Sequence, residues 1–148
     1  MAFHFSLESV LRLRASLEDV EKQRLAAIHR ELAEISERVQ SAREALKVER
    51  EKGANELNAG IRSSELNFQL LCREQLRHLQ QRLQADQEKV RERRRQQKEQ
   101  YLAVRKQRET VERLKEKAQK QYELETKRKD QSAADEMFLM RRRVRTDH

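Results

Sequence analysis

The stretch Lys52–Ser64, KGANELNAGIRSS, decides the fold. It holds both glycines of a 148-residue chain that has no proline. The sequence on either side is built from helix formers, so this stretch is either a hinge in one long helix or the turn of a hairpin. Its chemistry favours the turn. Gly53 suits the left-handed position that ends a helix, and Gly60 adds backbone freedom. Ser63 or Ser64 suits the first cap of a second helix, with Glu65 complementing its dipole. Ser6 and Glu8 do the same for the first helix.

Composition narrows the class. The chain is 41% charged and 36% hydrophobic, and only 4% aromatic, with a mean hydropathy of -1.11. Such a chain cannot build a multilayer core, which leaves long helices or disorder. Ala, Glu, Lys, Leu, Arg and Gln dominate, and these residues lose little rotamer freedom in a helix. Cys72 is the single cysteine, so no disulfide closes within the chain, as suits a reducing compartment. The start MAFHFSLESV lacks the pattern of a secretory signal, and no apolar run reaches the ~18 residues that a membrane span needs. The expected location is the cytoplasm, with no membrane insertion.

Leu25, Ile28, Leu32, Ile35, Val39, Ala42 and Leu46 recur in steps of three and four, the seam of a coiled coil. Val10, Leu13, Leu17 and Val20 follow the same steps upstream, with a one-residue slip before Leu25, the mark of a stutter. After the glycines, Cys72, Leu76, Leu79, Leu83 and Val90 form a second seam. A polar interval, Asp86–Gln100, contains only Val90 as an apolar residue. The register then slips between Gln97 and Tyr101, and the seam resumes at Val104, Val111, Leu114 and Ala118.

An antiparallel pair has a constant index sum. A sum of 118 makes Leu46 face Cys72, Ala42 face Leu76, Val39 face Leu79, Ile35 face Leu83 and Ile28 face Val90, and it sets the two slips opposite each other. The pivot is then Ala59. Leu32 against Asp86 and Leu25 against Arg93 are weak layers, where long side chains lie along the seam. The expected architecture is all-α: one coiled-coil domain over 1–148, with a helix over 6–51, a turn over 52–64 and a helix over 64–143. The second helix overhangs the first by roughly 40–50 Å at ~1.5 Å per residue. A lone overhanging helix is marginal in water.

No metal, nucleotide or nucleophile motif is present, and His4, His29, His78 and His148 are scattered. Cys72 reads as a small seam hydrophobe. A two-helix chain has no water-excluding pocket, so neither an enzyme nor a cofactor is expected. The net charge of +8 suggests an acidic partner. Two basic clusters, RERRR (Arg91–Arg95) and RRRVR (Arg141–Arg145), invite a nucleic-acid reading. Interleaved glutamates and the lack of an aromatic platform argue against it. The second cluster also complements a helix C-terminus. Leu57 and Ile61 are expected to cover Leu66, on a face away from Leu76. Phe68 and Leu71 stand as a candidate partner patch. Met137–Met140, MFLM, is a candidate docking site on the overhang.

Three segments carry a resemblance. FHFSLESVLRLR, LNFQLLCREQLRHL and KRKDQSAADEMFLMRRR resemble, in order, the start, second-helix opening and tail of the FliJ family of flagellar type III export proteins. The resemblance implies a cytoplasmic stalk, peripherally associated with the inner-membrane export apparatus. It implies binding to the export ATPase ring, the membrane export gate and export chaperones. Carried over residue by residue, it marks Phe3, Phe5, Leu7, Leu11, Phe68, Leu71, Asp135, Glu136, Phe138 and Arg141; the bottom-up reading adds Met137. The equivalent stalk of a virulence secretion system and a basic scaffold on nucleic acid or ribosomes are the alternatives.

Overall fold

The computed structural model describes residues 2–147. Two helices account for nearly all of them: α1, Glu8–Ala59, of 52 residues, and α2, Ser63–Thr146, of 84 residues. They pack against each other as an all-α helical hairpin. Glu8 and Glu65 sit in the first turns, and Arg143 and Arg145 in the last turn of α2, each complementing a helix dipole. At the start of α1 the Glu8 amide donates to the Phe5 carbonyl at 3.2 Å.

The turn is much shorter than Lys52–Ser64. Lys52–Ala59 continues α1, and only Gly60, Ile61 and Arg62 lie between the helices. Gly60 alone takes the left-handed conformation, φ 87°, and its amide donates to the Leu57 carbonyl at 3.3 Å. Gly53 does not end the helix. It is buried inside α1, and the Arg73 guanidinium occupies the space where a Cβ would stand. The helix ends are symmetric about Ile61, two residues past the expected pivot. Gln87 Nε2 accordingly donates to Ser36 Oγ at 3.0 Å, and Arg93 pairs with Glu31 at 2.9 Å. A pivot at Ala59 would have set Ser36 opposite Arg82 and Glu31 opposite Gln87. Both observed partners lie more than one helical turn further along α2.

The chain divides into two compact units, each described separately: Val20–Leu102, and the residues up to Asp19 together with those from Ala103 onward. In the Val20–Leu102 unit, Val39, Ala42, Leu46 and Val90 are buried, and Leu25, Ile28, Leu32, Ile35, Leu76 and Leu83 are half-buried between the helices. Leu66 lies on this same seam, in steps of three and four from Gln69, Arg73 and Leu76, rather than on the opposite face. In the other unit Phe5 is buried, and Leu11, Ala15, Val104, Val111 and Ala118 are half-buried.

Neither expected slip interrupts a helix. In the Val20–Leu102 unit the inward face of α1 carries Leu25 and the charged Glu21, and in the other unit Leu11 and the charged Glu18 are half-buried. Val20, Leu17 and Leu13 leave that face; Leu13 is 59% exposed. On α2 the step from Gln97 to Tyr101 is an ordinary step of four, with both residues half-buried. Within the Val20–Leu102 unit the seam passes from apolar to polar without a break in either helix. Glu21, only 7% exposed, accepts from Gln97 Nε2, which also donates to the Glu21 carbonyl at 3.2 Å.

Candidate partner-binding surfaces

The unit that holds the chain start ties its N-terminal segment onto α2. The Phe3 and Tyr122 rings pack tilted, with centroids 5.4 Å apart at 52°. Phe5 is buried at 8% exposure and Leu11 is half-buried, so these aromatics anchor the segment. Leu7 alone of the four expected contact residues at the start has an exposed side chain.

Charged pairs fix the same unit. Arg108 bridges Glu18 across the helices and Glu112 on its own helix, with Nη2 to Glu18 Oε1 at 3.3 Å. The Glu18 hydrogen bond, helped by the charges of Glu18 and Glu112 against the cost of burial, holds the guanidinium above its ordinary pKa. Arg14 donates to Gln107 at 2.6 Å, and Lys115 pairs with Glu8 at 2.9 Å.

Past Tyr122, α1 no longer covers α2. Every described residue from Glu123 to Asp147 is exposed. That is a lone helix of roughly 35 Å at ~1.5 Å per residue. Asp135, Glu136, Met137, Phe138 and Arg141 all lie on it, with Phe138 67% exposed. Leu139 and Met140 complete the exposed tetrad, and exposed Val144 extends the apolar set beyond it.

In the Val20–Leu102 unit, Phe68 and Leu71 are exposed, Phe68 at 68%, and so are Val48, Leu57 and Leu70. Ile61 and Leu66 are half-buried, but Leu57 and Leu70 remain exposed, so the turn covers the patch only in part. An open groove beside Phe68 is lined by Gly60, Ile61 and the carboxylates Glu49, Glu56 and Glu65. Sequence reasoning missed Leu13 and Leu17 as an exposed apolar face. Their departure from the phase of Leu25 was the available signal.

The two basic clusters differ in their partners. Arg91 pairs with Glu88 at 2.9 Å, Arg93 with Glu31 at 2.9 Å, and Arg95 with Glu92 at 2.7 Å. The first cluster is therefore largely neutralised by neighbouring carboxylates. Arg141, Arg142, Arg143 and Arg145 are exposed, and among the described residues no ion pair involves them. No described helix is long and apolar enough to cross a membrane.

A family model described as flagellar FliJ protein matches residues 3–146. No curated protein and no solved structure matches the chain.

Proposed function

The chain belongs to the FliJ family and is a flagellar type III export component; from that premise we propose that it is a non-enzymatic coupling stalk that engages the export ATPase ring and links it to the export gate and export chaperones. The observation that carries this reading is the uncovered end of α2. A helix with Met137, Phe138, Leu139, Met140 and Val144 all exposed loses burial energy unless a partner covers it. Phe68 and Leu71 offer a second open apolar patch, suited to a second partner. Leu7 and the carboxylates Asp135 and Glu136 add contacts at the surfaces of their own unit. The paired state of Arg91, Arg93 and Arg95 weighs against the nucleic-acid alternative for the first basic cluster.

The test is enzymatic on the partner. Purified protein added at equimolar ratio to the flagellar export ATPase is expected to raise its turnover and its hexamer fraction. Unchanged turnover and unchanged hexamer fraction, with both proteins folded, would overturn the proposal.

A further inference from the structure

We propose that the last turns of α2, Met137–Arg145, are a docking site for the surface of an anionic lipid bilayer. Met137, Met140 and Val144 follow at steps of three and four, so they share one stripe of the helix. All three are exposed. Arg141, Arg142, Arg143 and Arg145 alternate with that stripe, and none has an ion pair among the described residues. In the other basic cluster Arg91 and Arg95 pair with glutamates three positions away on the same helix, although Arg94 has no ion pair among the described residues. Here the neighbours are methionine, phenylalanine and valine instead.

That combination selects the occupant. Unpaired arginines ask for phosphate, and an apolar stripe beside them asks for a place to leave water. A nucleic-acid backbone supplies the first need only. The headgroup and upper acyl layer of an anionic bilayer supply both, because arginine stems lie along the apolar surface while their guanidinium groups stay with the headgroups. Each arginine near such a surface strengthens binding severalfold, and the attraction falls as salt rises. The helix lies on the membrane and does not cross it; no described helix is long and apolar enough to span one. Met137, Met140 and Val144 are also residues whose exposure carries the ATPase reading, so vesicle binding measured without the ATPase tests the lipid contact by itself.

The test uses the full chain and vesicles of phosphatidylcholine, with or without a quarter phosphatidylglycerol, at near-physiological salt. Co-sedimentation is expected to be at least about tenfold stronger on the anionic vesicles. Two variants separate the components: Arg142→Gln/Arg143→Gln/Arg145→Gln and Met140→Ser/Val144→Ser. Circular dichroism confirms their helix content. Both are expected to lose binding severalfold. Because the chain has no tryptophan, Met140→Trp gives a single reporter whose emission is expected to shift to the blue on anionic vesicles alone. Equal binding to both vesicle types overturns the proposal, as does no binding to either. Loss in the arginine variant with full binding in the serine variant also overturns it, because charge alone would then account for the attraction without the apolar stripe.

Discussion

Gln97 crosses the hairpin to donate to both the side chain and the backbone carbonyl of Glu21. This pair sits where a hydrophobic seam would place leucines, and it keeps α1 and α2 in contact through a segment of α2 that is almost wholly polar. A buried, satisfied polar pair contributes little net stability, but removing one partner strands the other. Glu21→Ala is therefore expected to cost about 1–3 kcal/mol. Glu21→Leu/Gln97→Leu should be neutral or stabilising. Denaturant melts of the singles and the double check this; a double variant as damaged as the single would contradict it.

The two glycines should respond in opposite directions. Gly60 has φ 87° and open space around it, so Gly60→Ala costs about 1–2 kcal/mol in backbone strain. Gly53 is helical, and only the flexible end of Arg73 fills its Cβ space. The Arg73 Nε is buried without a hydrogen-bond partner, so moving the guanidinium breaks no bond of that group. Gly53→Ala should then gain up to about 1 kcal/mol of helix propensity. Thermal melts of the two variants give the signs directly.

Arg108 joins Glu18 to Glu112 with its guanidinium partly buried. Arg108→Met is expected to cost about 1.5–3 kcal/mol, the range for hydrogen bonds to charged groups. Arg108→Lys keeps the charge but loses the fork, and should recover less than half of that. The folded-state pKa is raised, so the contribution is complete below the ordinary arginine range and is lost only as pH rises through a still higher value. The melting difference between wild type and Arg108→Met should accordingly stay constant from about pH 7 to about pH 10.

Removing residues 137–148 should leave the melting temperature within about 2 °C of the full chain, at most about 1 kcal/mol for a chain of this size. The reason is that every described residue past Tyr122 is exposed. The same truncation should abolish binding to the export ATPase. A large drop in melting temperature would mean that this end is packed, contrary to its exposure.

Much of the fold was legible because its determinants are local. The straight-chain composition and the absence of proline specify helix, and Leu25 to Leu46 state the apolar half of the interface. The uncovered apolar end at Met137–Met140 was legible for the same reason. The register was legible only in part: Gln97 meets Glu21 at the expected sum of 118, whereas Gln87 on Ser36 and Arg93 on Glu31 lie further along α2. Leu13, Leu17 and Val20 are more hydrophobic than Glu18 and Glu21, so a hydrophobic pattern follows them. The structure instead turns Glu21 and Glu18 inward, each in its own unit, where Gln97 and Arg108 respectively satisfy them. Gly53 misled for a related reason. A glycine near a turn reads as a turn residue, but a three-residue connection needs one positive φ, and Gly53 makes room for Arg73 instead.

The surfaces assigned to partners all depend on how the helices pair, and one measurement tests that most directly. In a Cys72→Ser background, Ser36→Cys/Gln87→Cys and Ser36→Cys/Arg82→Cys are treated with a short thiol cross-linker at low protein concentration. The hairpin turning at Ile61 predicts rapid cross-linking of the Ser36–Gln87 pair within single molecules, and slower reaction of the Ser36–Arg82 pair. Faster reaction at Arg82, or products of dimer mass alone, would contradict the hairpin described here.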